Sequence, residues 1–117
     1  MKIYTEGKEG YCFVHDGKDH VLRGYGTDHM CCWLSIVNAL EAFSGTEQQS
    51  CDIYLNSLFV YKQLTFEYRI KDQKLKDIYL QFVVAKNNVR DRVVQFFYVS
   101  GVDNPARQIY ENRRGLL

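Results

Sequence analysis

The sequence has few of the features that mark the more specialised classes of protein. It contains one proline and no internal repeat. No apolar run approaches the roughly 18 residues that a membrane-spanning helix needs. The charges nearly cancel, at a net charge of +1, so nothing in them favours a polyanion as partner. We therefore expect no membrane association and no direct contact with nucleic acid.

Cysteine pairs with the spacing of a zinc site are also absent. The chain has four cysteines and no C-x-x-C pair, so we predict neither a bound metal nor a cofactor. The N-terminus lacks the apolar segment of a signal peptide, which favours free thiols over disulfides. These observations predict a soluble, cytoplasmic protein whose residues 1–117 form a single domain.

The sequence is rich in aromatic and β-branched segments separated by polar turns. Residues 2–23 are typical of a β-meander with glycines at its turns. Residues 28–43 predict a helix, because Thr27 or Asp28 can cap its start and Ser44-Gly45 can end it. The beginning of the chain thus predicts two or three strands followed by a helix.

The second half is assigned from its apolar spacing. Residues 63–71 and 78–86 favour two paired strands, and residues 88–115 favour a helix that Pro105 kinks or divides. The order β-β-α-β-β-α predicts an α+β fold, with a single antiparallel or mixed sheet and two main helices packed on it. The run of Phe96, Phe97 and Tyr98 exceeds what one helix face can bury, which makes a symmetric homodimer a candidate.

Cysteine chemistry is concentrated at the start of the first predicted helix. Cys31 falls in its first turn, where free backbone N–H groups and the helix dipole favour a thiolate. Cys32 falls on the apolar stripe and is expected to be a core thiol. His20 can fold back across the glycine-rich connection and act as a base for Cys31. A buried, unreactive Cys31 is the alternative that these residues leave open.

The segment YGTDHMCCWLS, residues 25–35, resembles the signature of the Prp family of ribosomal-processing cysteine proteases. That signature runs Tyr-Gly-x-Asp-x-x-Cys, with a serine four residues after the cysteine. The matching residues are Tyr25, Gly26, Asp28, Cys31 and Ser35. The tail GVDNPARQIYENRRG, residues 101–115, is similar to the end of the family's last helix.

The resemblance implies a single Prp-like domain and a cysteine endopeptidase. Its substrate would be a short N-terminal extension, or a similar extended peptide, of a ribosomal or phage structural protein. Cys31 would be the nucleophile and His20 the base that takes its proton. Gly24 and Gly26 would give the connecting loop the freedom to close over the peptide.

Two supporting residues and two other functions stay open. Asp28 is either the helix cap or a catalytic acid, and Ser35 either orients the thiol or packs against the sheet. The main alternative function is a non-catalytic protein- or peptide-binding module, of inhibitor or adaptor type, on the same scaffold. A small α+β protein unrelated to Prp, such as a phage or immunity-type inhibitor, is the third. The distance from the His20 imidazole to Cys31 Sγ distinguishes the enzyme from the alternatives.

Overall fold

The chain begins with an antiparallel meander. In a computed structural model, which describes residues 1–115, β1 (Lys2–Lys8), β2 (Tyr11–His15) and β3 (Asp19–Arg23) pair in the order in which they occur. Tight turns join them, since only a few residues separate each strand from the next. The meander forms one half of the sheet.

Parallel strands form the other half of the sheet. β4 (Ser50–Leu55) lies beside β1 and β5 (Val93–Tyr98) beside β4, both parallel to their neighbours. The sheet is therefore mixed, with the strand order β3-β2-β1-β4-β5. Parallel neighbours need long crossover connections, and helices supply them here.

The helices follow from clear capping signals. The helical elements are α1 (Asp28–Ser44), α2 (Leu58–Leu64), α3 (Gln73–Asn87), a short 3-10 turn (Gly101–Asp103) and α4 (Pro105–Gly115). Thr27, Ser57 and Asp72 cap α1, α2 and α3, each accepting a hydrogen bond from a backbone N–H in the first turn. No helix within residues 1–115 is both long and apolar enough to cross a membrane.

The main core lies between the sheet and α1, with α2 and α3 packed against it. Its largest fully buried side chains from α1 are Trp33, Ile36, Leu40 and Phe43. Gly7 of β1 allows the helix to approach closely, because a Cβ there would lie 2.0 Å from the backbone nitrogen of Cys32. The opposite face of the sheet carries a smaller cluster of Phe13, Ala106 and Tyr110, under α4.

Arg92, just before β5, closes the end of α1. The last turn of this helix contains no basic residue of its own. The Arg92 guanidinium donates hydrogen bonds to the backbone carbonyls of Phe43, Ser44, Thr46 and Gln48, at 2.9–3.3 Å. It also lies 4.9 Å from the centre of the Phe43 ring. A cation at a helix C-terminus satisfies free carbonyls and complements the dipole.

The predicted α+β class with a single mixed sheet is confirmed, but the strands predicted in the middle of the chain are wrong. Residues 63–71 contain the end of α2 and an irregular connection, and residues 78–86 lie within α3. Ile78 and Ala85 face the core at helical spacing. Short apolar runs fit both periods, and here the cap at Asp72 decides for the helix.

The predicted last helix is also partly wrong. Its first part is β5, and only residues from Pro105 onward are helical. Along the strand, Phe96 contacts Phe82 on the α1 side while Phe97 stacks on Tyr54 on the other side. The overloaded helix face, which was the reason to consider a homodimer, therefore does not exist.

Candidate functional site

A buried carboxylate lies near the C-terminal ends of β1 and β4, which are inner strands of the sheet. Glu6 of β1 is 6% exposed. Its Oε2 accepts a hydrogen bond from Asn56 Nδ2 at 2.8 Å and another from Arg107 Nη1 at 3.2 Å. We call these three residues the Glu6 cluster. Because parallel strands end at the same edge, β1 and β4 bring Glu6 and Asn56 together, and α4 adds Arg107.

Arg107 bridges two carboxylates. Its Nε donates to Glu111 Oε1 at 3.0 Å, one helical turn further along α4, while Nη1 reaches Glu6. Burial opposes the guanidinium charge, but the hydrogen bonds to Glu111 and Glu6 outweigh it and raise the pKa of Arg107. The cluster therefore contains its own permanent cation.

Asn104 fixes the start of α4 relative to β1. It is fully buried, its Nδ2 donates to the Thr5 carbonyl at 2.9 Å, and its Oδ1 accepts from the Ala106 backbone N–H at 3.1 Å. An asparagine at this position caps the helix and ties it to the sheet in one step. Arg107 follows one turn later, so its position beside Glu6 depends on Asn104.

The two residues predicted to be catalytic have other partners. His20 Nε2 lies 3.0 Å from Asp16 Oδ1 across the β2–β3 turn, on an exposed surface. Cys31 Sγ is directed to the Tyr25 carbonyl at 3.5 Å, in the buried layer beneath α1. No hydrogen bond between His20 and Cys31 occurs in the part of the chain that the structure describes. The predicted nucleophile–base pair is therefore not assembled.

Burial raises the pKa of the thiols, which reverses the expectation for Cys31. Desolvation raises the pKa of Cys31, and hydrogen bonding with the backbone at Gly10 and Tyr25 offsets part of this rise. It raises the pKa of Cys12 to about 12 and that of Cys51 to about 11. Cys32 is raised as well, as expected for a core thiol. An activated thiolate at Cys31 was expected, whereas burial raises the pKa of this thiol and so disfavours the thiolate.

The two glycines of the predicted loop have packing roles. A Cβ at Gly24 would lie 3.1 Å from Cys31 Sγ and 3.2 Å from Cys12 Sγ. Gly26 has a φ of +80°, and a Cβ there would lie 2.4 Å from the end of Met30. Both glycines therefore fit a tight connection against α1.

Asp28 and Ser35 are engaged with the backbone. Asp28 Oδ1 accepts from the Glu9 backbone N–H at 3.0 Å and joins the β1–β2 turn to α1, while Thr27 is the cap. Ser35 is fully buried, and its Oγ donates to the Cys32 carbonyl at 2.6 Å. Such back-bonding is a common way for a helix to hold a buried serine.

Several solved structures have the same architecture as this chain. LC11-RNase H1, isolated from compost and solved in complex with an RNA/DNA hybrid, has a TM-score of 0.69 and 17% identity, with 89% of this chain and 88% of that chain covered. RNase H1 of the archaeon Halobacterium salinarum has a TM-score of 0.65 and 17% identity, covering 85% and 84%. This chain has the ribonuclease H fold.

A third ribonuclease H structure covers nearly the whole chain. The N-terminal RNase H domain of a Mycobacterium tuberculosis protein matches with a TM-score of 0.66 and 13% identity, over 97% of this chain and 98% of that one. No family model and no curated protein matches the sequence. At these identities the likeness establishes the ribonuclease H fold and leaves the chemistry to be worked out from the residues.

The ribonuclease H fold overturns the predicted identity. The resemblance to the Prp family is wrong, and with it the cysteine endopeptidase, the thiol-protease role in ribosome biogenesis and the peptide substrate. The exclusion of nucleic acid is contradicted as well, because one of these neighbours was solved with an RNA/DNA hybrid. The peptide-binding alternative gains no support. In this chain the segment YGTDHMCC is the end of the β3–α1 connection and the start of α1.

The Glu6 cluster does not fit the metal ions that hydrolytic nucleases use. Such ions are held by several carboxylates that converge on one point. Within residues 1–115, no three His, Cys, Asp or Glu side chains come together in this way. Glu6 supplies a single carboxylate between β1 and β4, and donors from Asn56 and Arg107 occupy its Oε2. The Arg107 guanidinium, 3.2 Å from Glu6 Oε2, would repel a metal ion bound to this carboxylate.

Sequence reasoning missed the residues that matter here. Glu6 lies in a strand of seven residues, and its only local signal is a carboxylate at a buried position. Asn56 and Arg107 are 50 and 101 positions away from it. The ends of parallel strands reveal such a cluster only once the strand order is known.

Proposed function

We propose that this protein binds nucleic acid through the ribonuclease H fold and does not hydrolyse it with metal ions. The observation that carries the proposal is the Glu6 cluster, in which an amide and a guanidinium satisfy the carboxylate that would otherwise hold a metal. The fold supports nucleic acid as the ligand, since a neighbour of the same architecture holds an RNA/DNA hybrid.

An exposed basic segment supplies the charge that a nucleic acid needs. The connection before α3 and its first turn carry four basic side chains and one acidic one between residues 69 and 76. The basic residues are Arg69, Lys71, Lys74 and Lys76. All four are exposed. The one acid, Asp72, caps α3: its Oδ1 accepts a hydrogen bond from the Leu75 backbone N–H at 3.1 Å. We call residues 69–76 the basic segment. Phosphate contacts from such side chains provide affinity without sequence preference.

The state of the cysteines bears on the cellular compartment of the protein. All four cysteines are free and buried. Unpaired thiols are typical of a reducing compartment, so we propose the cytoplasm as the site of action.

Binding to a short fluorescein-labelled RNA/DNA hybrid tests the proposal. Fluorescence anisotropy is followed at several salt concentrations, for the wild type and for a Lys74→Glu/Lys76→Glu double variant. We expect the wild type to bind with an affinity that falls as salt rises, and the double variant to lose roughly tenfold or more in affinity. Lys18→Glu, on the exposed β2–β3 turn, is the matched control and should bind like the wild type.

The same complexes are incubated with Mg²⁺ or Mn²⁺ and analysed on a denaturing gel. We expect the hybrid to stay intact. Metal-dependent cleavage that disappears in Glu6→Gln would overturn the non-hydrolytic part of the proposal. If neither the hybrid nor its separate strands bind at low salt, the nucleic-acid function itself is wrong.

A further inference from the structure

A cavity opens between the start of α1, the helix α2 and residues 65–72, beside the basic segment. Its volume is about 680 Å³, within the range of small-molecule sites. We call it the α1–α2 cavity. The elements around it are fixed by the main core, through Met30 of α1, Val60 of α2 and Leu75 of α3. The cavity is thus a preformed feature of the fold.

Aromatic rings form one wall of this cavity. The His29 and Phe59 rings stack with their centres 4.5 Å apart and their planes 23° apart, and Tyr68 lies 5.6 Å from Phe59. Phe59 and Tyr68 remain 40% and 44% exposed, so these large aromatic side chains leave apolar surface in contact with water at the mouth of the cavity. An aromatic cluster that remains partly exposed suits a planar ring.

A fixed hydrogen-bond donor lies inside the cavity. Gln63 lines it and is only 4% exposed. Its Oε1 accepts from the indole Nε1 of Trp33 at 2.9 Å, and Trp33 is fully buried, so the orientation of the amide is determined. Among the described residues Nε2 has no acceptor. It is nevertheless not one of the fully buried polar atoms, because none of those lacks a partner. The Gln63 Nε2 group is therefore accessible and can donate to a ligand in the cavity that Gln63 lines.

Charged side chains lie at the rim in both signs. Arg69 and Lys71 can meet a phosphate, while the Asp72 carboxylate is committed to capping α3. Glu67 also lines the cavity and can accept from an amino group. Together, an aromatic wall, a buried amide donor, a rim acceptor and two cations match a base carrying a phosphate.

We propose that the α1–α2 cavity binds the nucleobase of one nucleotide, stacked on Phe59 and hydrogen-bonded by Gln63 Nε2. The nucleotide is one unit of the nucleic-acid strand that the protein is proposed to bind. The inference therefore deepens the proposed function and rests on it. A free mononucleotide has the same chemistry, so the experiment separates the two sources. Stacking on an aromatic side chain contributes about 1–3 kcal/mol per base, or roughly a 5- to 150-fold effect on affinity.

Trp33 provides the measurement, because it is the single tryptophan and it touches Gln63. Titration with AMP should change the Trp33 fluorescence saturably, whereas ribose 5-phosphate, which lacks the base, should not. Phe59→Leu should weaken AMP binding about fivefold or more. Phe97→Leu is the matched control, because Phe97 is 37% exposed on the opposite face of the sheet, and it should bind AMP like the wild type.

Gln63→Glu is the second variant, since it keeps the acceptor for Trp33 and replaces the donor with an acceptor. A carboxylate at this buried position lowers the melting temperature, so binding is measured well below it, where circular dichroism shows a folded protein, and the variant should lose AMP binding. Equal responses to AMP and ribose 5-phosphate, or wild-type binding by Phe59→Leu, would overturn the cavity proposal.

The strand is then tested with the hybrid assay. Phe59→Leu should weaken hybrid or single-strand binding while leaving its salt dependence unchanged. AMP binding without any strand binding would assign the cavity to a free mononucleotide and refute its role in a strand. Strand binding that depends on the basic segment but not on Phe59 would refute the cavity proposal and leave the proposed function intact.

Discussion

The face of the sheet beneath α1 is packed with apolar and sulfur-containing side chains, whereas the face beneath α4 carries a buried carboxylate held by an amide and a guanidinium. On the first face, Trp33 and Phe43 are fully buried and three cysteines fill the gaps around them. On the second face, the apolar cluster is small and lies beside the Glu6 cluster. The comparison teaches that the main apolar core and the buried charge lie on opposite faces, so substitutions on each should have different consequences.

The largest effect is expected on the α1 face. Phe43→Ala removes a fully buried ring and also its contact with Arg92, and we expect a loss of about 3–5 kcal/mol in the free energy of unfolding. Urea denaturation followed by circular dichroism measures it. Phe97→Ala, on the opposite face, should cost far less. Equal losses at the two positions would erase the distinction between the faces.

An intermediate effect is expected in the Glu6 cluster. Arg107→Met leaves the buried Glu6 carboxylate with Asn56 alone, and we expect a loss of about 1–3 kcal/mol. Arg90→Met, at an exposed position, is the control. In a Glu6→Gln background the cost of Arg107→Met should shrink, since no buried charge is then left unpaired. An undiminished cost in that background would show that Arg107 acts through packing.

The third effect appears only at alkaline pH and distinguishes the two faces by their titration. Burial raises the pKa of Cys51 to about 11, so above pH about 9 the unfolded chain releases its thiol proton while the folded chain retains it. The stability contributed by the neutral thiol is complete below pH 9 and is lost as pH rises through 11, at about 1.4 kcal/mol per pH unit.

Cys51→Ala should remove this part of the alkaline slope in urea midpoints measured between pH 8.5 and about 10.5. Arg107→Met should keep the slope of the wild type, because Arg107 stays charged throughout this range. Parallel profiles for wild type and Cys51→Ala would show that the thiol is not buried in the way described.

The elements that the sequence predicted correctly are those specified by neighbouring residues. The meander and α1 follow from turn glycines, from the Thr27 cap and from the stop at Gly45. α3 carried an equally local signal, since Asp72 precedes apolar residues at helical spacing, but its valines and aromatic residues favoured a strand. The Asp72 cap and packing against the α1 core together overrode that propensity.

The candidate site could not be found in the same way. Cys31 was predicted to be reactive because two adjacent cysteines lie at a helix start. Its pKa, however, depends on its burial, and Gly7 allows α1 to pack closely on β1 there. Glu6, Gln63 and Arg107 are ordinary residues in their local sequence. Their roles come from strand order and from the partner each meets across the core, which no local spacing encodes.

The parallel pairing of β1 with β4 has a consequence for the nascent chain. The meander can form as soon as its residues are available, because its contacts are local. Lys2 and Tyr4, however, pair with Asp52 and Tyr54, so the other edge of β1 has no strand beside it until β4 has left the ribosome. During synthesis that edge is an open template for other strands. Early docking of α1 over Gly7 would hold this half-built sheet in place until β4 and β5 complete it.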